Sequence, residues 1–481
     1  MKHLLIATLI SGMLFHPLLS PKVIAQSSLP TLSDSLSSSV TLDSEYRLGR
    51  NWVRMLRGQA PLLSDPLTWH YVDDLLWDLV PHSQINDRRL ELVMVDNPTF
   101  NAFAVPGGIV GVHGGLILAS ENEDELASVL AHELAHLSQR HFAQRIEEER
   151  RNRPMVLAGI LAGILIAAAD TQGGTAVLSS TMAASAQSQL AFSRRNEEEA
   201  DRVGMQNLVS AGRDPHAMPQ MFSRLQRNYR FYGQRMPEFL LSHPVTEARI
   251  ADSLNRAAAL PTPRARPYSP DFDIIRTRMQ VHYAHQANDI YRNFQTLAQS
   301  EPSDLNHYGA MLAATRIGQL EQAHVHFQAL SPQWRQHMYI RASYVELLLK
   351  RQELTQALTE SQQLLRLYAG SLPILKLHAK VLRESGQAQE ATAVYKQIVR
   401  DHPNDVETWY ELAEAEGLVG NIAGVHDARI EYFLLTGNFD SAIRQVEFAR
   451  RERNISPTDQ ARLDRKEAEI HEIRRQMKED F

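Results

Sequence analysis

Gly318, Gln352, Gly386 and Gly420 stand 34 residues apart, and five residues after each comes Ala323, Ala357, Ala391 or Val425. A chain keeps such a period only if each stretch folds into the same small unit. Thirty-four residues is the length of the helix–turn–helix tetratricopeptide repeat. One unit alone cannot bury its apolar face, so the units must stack. The small residue lets paired helices approach, and a bulky residue four positions later (Phe327, Tyr395) fills the gap. Pro403 and Trp409 fall in the same register. The period predicts an α-solenoid over residues 272–450, with a degenerate unit at 282–302 and a closing unit at 434–449. The charged 451–481 segment, with Leu463, Ile470, Ile473 and Met477 on one side, reads as a capping helix or a tail.

Pro261, Pro263, Pro267 and Pro270 mark a linker over 259–271. Before it the pattern changes. The segments 90–95, 101–105, 109–112 and 116–119 read as short strands separated by Asp96-Asn97-Pro98, Pro106-Gly107-Gly108 and His113-Gly114-Gly115, which predicts a small antiparallel meander. Asn101, Ala102, Phe103 and Ala104 would form an exposed edge on which an extended peptide could add a strand. Ser120-Glu121-Asn122-Glu123 has the form of a capping box and would open a helix running to about residue 150. The expected fold is mostly α with a small antiparallel β-sheet in the first domain (26–258), followed by the solenoid.

That helix carries the chemistry. His132-Glu133-Leu134-Ala135-His136 reads HExxH, and positions i and i+4 of a helix share a face. Two imidazoles can grip one cation there, and Glu133 stands beside the open coordination position, placed to take a proton from water. A third ligand decides the class. A third histidine six residues after His136 is missing: Phe142 occupies that place, and His141 misses it by one and points off the ligand face. An acidic cluster follows at Glu197, Glu198, Glu199 and Asp201, in a helical pattern over 190–208 that also aligns Ala200 and Gly204. Glu197 and Asp201 share a face, which suits Glu197 as ligand and Asp201 as partner of a ligating histidine. Glu198 and Glu199 are rotated away and read as solvated neighbours.

Lys2 and His3 precede an apolar run to Leu19, and Val23-Ile24-Ala25 offers small or short residues for cleavage after Ala25, so residues 1–25 read as a signal peptide of an exported protein. There is no cysteine, which excludes disulfides, thiolate zinc ligands and a cysteine-linked lipid anchor. The net charge of −6 is well mixed, and nothing points to nucleic acid. The apolar stretch 155–169 is short of the ~20 residues needed to span a bilayer. With the small-residue stretch to 191 it reads as a hairpin or flap beside the site, with possible peripheral membrane contact through 155–191.

His132-Glu133-x-x-His136 with Ser193-Arg194-x-x-Glu197-x-x-Ala200-Asp201, and Ser242-His243-Pro244 with Arg249-Ile250, resembles the gluzincin family that includes the HtpX stress proteases and the CAAX-processing membrane proteases. With the leader and the repeats, the chain resembles the BepA-type periplasmic metalloproteases over nearly its whole length. The resemblance implies a zincin-like metalloprotease domain and one Zn²⁺ per chain, with Glu197 as third ligand. It gives Glu133 the base role and Asp201 an acid or proton-donor role. It also implies a periplasmic endopeptidase acting on misassembled outer-membrane proteins and their assembly machinery. His243 is then a candidate fourth ligand, gate or oxyanion stabiliser, and Arg249 a candidate supporting residue that more naturally forms a salt bridge. Leu241–Ile250 reads as a loop entering a helix, with Pro244 near its first turn.

Overall fold

The computed structural model describes residues 41–145, 193–232, 238–452 apart from 262 and 265, and 456–480. The leader, its cleavage point and the 155–191 stretch lie outside the described residues.

The first domain is three layers. Helix α1 (Leu42–Gln59) covers one face of a three-stranded sheet, β1 (Glu91–Val95), β2 (Ala102–Val105) and β3 (Ile109–His113). Helices α2 (Pro66–Leu79) and α4 (Glu123–Ser138) pack on the other side. The period of two along each strand sorts the residues. Val93, Val95, Phe103, Val105 and Ile109 point into a core with Trp52, Val53 and Leu56 of α1. Leu92, Met94, Ala102, Val110 and Val112 point into the main core with Leu126, Leu130 and Leu134 of α4. The Asp65-Pro66 break is the start of α2: Asp65 accepts from the Leu67 N–H and Pro66 sits in the first turn.

The sheet departs from the expected meander. Its order is β1-β3-β2, with β2 antiparallel to β3 and β1 parallel to β3. The chain leaves β1 through the 96–101 loop, places β2 on the outside, and returns through Gly107 and Gly108 to put β3 in the middle. The far side of β1 is closed by a bridge from Leu62 to Val95. The fourth expected strand is instead helix α3 (Gly114–Ala119). Four apolar residues cannot distinguish a strand from a helical turn by periodicity.

After α4 come α5 (Arg194–Ser210), α6 (Ala217–Tyr232), α7 (Glu238–Ser242) and α8 (Glu247–Ala259). Helix α8 is capped by the Thr246 hydroxyl, so Pro244 lies in the loop ahead of it and not in its first turn. The proline-rich stretch follows, up to α9 (Asp271–Tyr283).

The repeats run from α10 (Ala287–Ser300) through α11 (Asp304–Arg316), α12 (Leu320–Ala329), α13 (Pro332–Gln336), α14 (Met338–Lys350), α15 (Leu354–Leu367), α16 (Leu372–Glu384), α17 (Ala388–Asp401), α18 (Val406–Leu418), α19 (Ile422–Leu435) and α20 (Phe439–Arg451). The 34-residue period has a backbone cause. Gly318, Gly386 and Gly420 end their helices with φ between 74° and 77°, and Gln352 adopts φ 62° at the equivalent place. Ala323, Ala357 and Ala391 are fully buried between helix pairs. Val425 is only half-buried; in that unit Gly424 makes the close approach, against the Glu416 side chain.

Residues 457–480 form a helix, α21 (Pro457–Asp480), with Leu463 and Ile470 buried against α20. It reaches back to the first domain, where Asn51 donates to Asp480 at 2.7 Å. Helix α9 joins the two domains in one continuous core. Its Arg278 binds both oxygens of Asp65 at 2.9 Å and donates to Ser343 of α14 at 2.8 Å. A cavity of about 540 Å³ lies between the two domains, lined by Leu62, Trp69 and Met94 on one side and Leu372, Lys376 and Tyr432 on the other.

Candidate metal centre

Helix α4 begins two residues later and ends earlier than the sequence suggested. Asn122, not Ser120, caps it by accepting from the Glu125 N–H, and the Glu125 carboxylate reaches back to the Glu121 N–H at 2.6 Å. The Ser120 hydroxyl is spent on the Leu116 carbonyl. The buried Arg213 ties Glu123 and Asp124 of the first turn to Asp78 of α2, each at 2.9 Å. The helix stops at Ser138, because Arg140 takes a left-handed conformation, φ 53°, and breaks the ladder before residue 150 can be reached. Residues 141–145 form a further helical turn.

Helix α5 lies against α4 at its two smallest residues, Ala200 and Gly204. A Cβ on Gly204 would stand 3.0 Å from the Ala131 carbonyl oxygen and 3.1 Å from the His132 Cα. That close approach sets Glu197 and Asp201 against the histidine face of α4. The loop after α7 adds His243. One donor atom each from His132, His136, Glu197 and His243 fall within 4.8 Å of one another, and all four residues are buried.

His132 Nε2 and His136 Nε2 are 3.1 Å apart. Glu197 brings Oε1 to 3.4 Å from His136 Nε2 and Oε2 to 3.6 Å from His132 Nε2. His243 Nδ1 is 3.0 Å from Glu197 Oε1 and 3.4 Å from His132 Nε2. Lone-pair donors crowded around one point, with few protons to share, are a donor set for a cation. The electrostatics agree. Burial pushes the His132 ring down, but Asp201 and Glu197 outweigh it and lift it to about 9, so the field that draws a proton there also draws a metal ion. Burial keeps the His136 ring well below the usual imidazole range and therefore neutral, as a ligand must be. Burial pushes the Glu197 carboxyl up, yet the imidazoles of His243, His132 and His136 hold it well below the carboxylate range. The site fits a divalent cation taken by nitrogen and oxygen.

Glu133 stands beside this point, fully buried, with the Ala104 backbone as its hydrogen-bond partner. Burial pushes its carboxyl up; His243 Nε2, 3.6 Å away, opposes that shift. A buried carboxylate of raised basicity beside the donor set suits a proton acceptor.

Asp201 sits on the opposite side of His132, with Oδ1 3.1 Å from Nδ1. Arg249 grips it through Nε at 2.8 Å and Nη2 at 2.7 Å. Burial raises the Asp201 carboxyl, but His132 and Arg249 outweigh it and keep it ionised. This carboxylate lies behind the ring, on the Nδ1 side of His132. Arg249 Nη1 reaches Glu197 Oε2 at 2.7 Å and the Pro244 carbonyl at 2.8 Å, so one guanidinium holds the ligand carboxylate, the carboxylate behind His132 and the loop that carries His243.

Strand β2 is at the edge of the sheet, but it is not exposed: Ala102, Phe103, Ala104 and Val105 are all buried. Asn101 precedes the strand and turns its amide toward the ring of His113, 3.5 Å away. Helix α4 lies on one side of β2, and Trp52 of α1 meets Phe103 edge-on at 5.7 Å. Glu199 is likewise not a free surface residue, since its Oε2 is 3.4 Å from His141 Nε2. His141 is fully buried, with Nδ1 3.0 Å from His136 Nδ1. Helical extrapolation past Ser138 had pointed it away. The five-residue spacing from His136 was the only trace in the sequence.

The comparisons with known proteins agree with this architecture. Residues 66–257 match the model of peptidase family M48, and residues 374–415 match a tetratricopeptide repeat. The chain is 32% identical to the beta-barrel assembly-enhancing protease of Escherichia coli O157:H7 over 485 aligned residues, covering all of this chain and 98% of that protein. It is 30% identical to the protein of the same name from Yersinia pestis, covering 98% of each. The likeness to the mitochondrial metalloendopeptidase OMA1 of Schizosaccharomyces pombe, 32% over 216 residues, takes in 44% of this chain and 61% of that one. No helix among the described residues is long and apolar enough to cross a membrane. With the buried histidine–carboxylate cluster in the matched segment and a full-length likeness to proteases of this kind, the chain belongs to peptidase family M48 and is a metalloendopeptidase with a tetratricopeptide-repeat domain.

Proposed function

We propose that the chain is a zinc endopeptidase of the periplasm that removes misassembled outer-membrane proteins and assists outer-membrane assembly through its repeats. The observation that carries this is the convergence of His132, His136, Glu197 and His243 within 4.8 Å, with Glu133 buried at its side. In this reading His132, His136 and Glu197 hold one Zn²⁺. Bound there, zinc supplies a Lewis acid that activates water and polarises the scissile carbonyl. The chain's own residues do the rest. Glu133 accepts the proton of the attacking water and returns it to the leaving amine. Asp201 fixes the His132 ring through Nδ1, and Arg249 fixes both carboxylates. His243 takes the fourth position at rest and must leave for substrate to enter.

The relatives named for β-barrel assembly support an outer-membrane role, and the expected cleavage after Ala25 supports the periplasm. Protein clients, or the assembly machinery, would be engaged by the repeats and the cavity they share with the first domain. A client segment would add to β2 once the edge is uncovered, and 155–191 is the part proposed to touch a membrane surface.

One observation favours a second reading. Four protein donors are the mark of structural zinc, whereas catalytic sites hold three and keep one position open. The chain would then be a chaperone or scaffold of the assembly machinery with a latent site. Zinc analysis of purified protein tests the ligand set: Glu197→Gln should lose zinc and Glu198→Gln, which is exposed, should keep it. Equal zinc in both would remove Glu197 from the site.

A further inference from the structure

His132 and His136 are held from behind in different ways. A metal-ligating imidazole is normally steered by a hydrogen bond from its second nitrogen to a carboxylate or carbonyl. Asp201 does this for His132. Behind His136, among the described residues, stands another imidazole, His141, with the two Nδ1 atoms 3.0 Å apart.

Proton counting fixes the direction of this contact. His136 turns Nε2 toward His132 Nε2 and Glu197, so Nε2 is the ligating atom and the ring's proton must be on Nδ1. Only one proton fits between two Nδ1 atoms, so His141 Nδ1 accepts. The His141 proton then lies on Nε2, which faces Glu199 Oε2 at 3.4 Å. Each step requires the next. Glu199 in turn lies 3.3 Å from Arg202 and is one-third exposed.

The backbone is arranged for this contact. Arg140 takes φ 53°, a left-handed conformation that is strained for a non-glycine residue. It is held there by Glu45 of α1, which accepts from Arg140 Nε at 3.1 Å and Nη2 at 2.6 Å. Without that turn, His141 would continue along the helix, away from His136.

We propose that His141 and Glu199 are the positioning pair for the His136 ligand, a relay in which His136 Nδ1–H donates to His141 and His141 Nε2–H donates to Glu199. This rests on the reading of His136 as a ligand. Its consequence is that the two histidines are unequal ligands. A direct carboxylate raises the basicity of His132, whereas a neutral imidazole does so less for His136.

The test is zinc affinity of the full-length protein by competition with a chromophoric chelator, paired with the visible spectrum of the cobalt-loaded protein. His141→Leu should weaken zinc binding about 10–100-fold and change the cobalt bands. His141→Asn puts an acceptor oxygen where Nδ1 stood and should recover most of the affinity and the wild-type bands. Glu199→Gln, at a partly exposed position that folding tolerates, should weaken binding less than His141→Leu. Wild-type affinity in His141→Leu, or equal losses in the leucine and asparagine variants, would overturn the relay. His136→Ala separates the two claims. If it keeps zinc, the ligand reading has failed; if it loses zinc while His141→Leu does not, only the relay has.

Discussion

Arg249 and Asp201 form a buried two-point ion pair, 2.8 Å and 2.7 Å, on the side of His132 away from the metal point. The same guanidinium also neutralises Glu197. Removing one partner of a buried pair costs about 3–5 kcal/mol, because the other charge is left uncompensated. Arg249→Met should therefore lower the unfolding free energy by about that much in chelator, as read by urea denaturation. The deficit should shrink in zinc, since a cation replaces the lost positive charge. Wild-type stability in chelator would show that Arg249 does not hold these carboxylates.

His243 places Nδ1 3.4 Å from His132 Nε2, inside the donor set. If it closes the site at rest, His243→Ala should cleave a small unstructured peptide faster than wild type while binding zinc nearly as well. A rate equal to wild type would remove the gate, and a large fall would assign His243 to the reaction itself.

The junction between domains gives a pH dependence. Burial pushes the Asp65 carboxyl up, but Arg278, Thr68 and the Leu67 N–H outweigh it and hold it below the ordinary carboxylate value. A carboxyl depressed in this way stabilises the folded state at every pH above the ordinary carboxylate value of about 4 and loses that contribution as pH falls through its own lower value. Asp65→Asn should destabilise the protein at pH 7, and its difference from wild type should narrow in acid below about pH 4. A difference that stays constant from pH 7 to pH 3 would contradict the pairing.

Two backbone substitutions test the fold. Gln352 sits at φ 62°, where its counterparts Gly318, Gly386 and Gly420 pay no steric cost. Gln352→Gly should raise stability by up to about 1 kcal/mol in thermal or urea unfolding. Gly111→Ala should do the opposite, because its Cβ would stand 2.0 Å from the Phe103 ring that lies over it. A neutral Gly111→Ala would mean that the cross-strand contact is not as tight as described.

Local periodicity explains what was legible in the chain. His132, His136, Glu197 and Asp201 could be placed because i and i+4 on a helix settle which side chains share a face, and Ala200 and Gly204 marked the side that meets α4. The repeat glycines were legible for the same reason, and so was the oddity of Gln352. What was not legible depends on long-range packing. The parallel pairing of β1 with β3 is a property of strand order, which no local pattern encodes. The burial of β2 comes from what packs around it. The early stop of α4 goes with Arg140 bonding to Glu45, 95 residues away, and past it His141 lies against His136 and Glu199. Asp201 could be matched to a proton-donor position by resemblance; its ion pair with Arg249 could not be read from local spacing.

The most direct test of the central claim is cleavage of casein by zinc-loaded wild type and by Glu133→Gln, with zinc content measured in both. Glu133 lies beside the donor set without being part of it. The account predicts equal zinc in the two proteins and a loss of cleavage in Glu133→Gln of at least about 10²–10⁴-fold, the usual contribution of a positioned general base. Equal cleavage by both, at equal zinc, would contradict it.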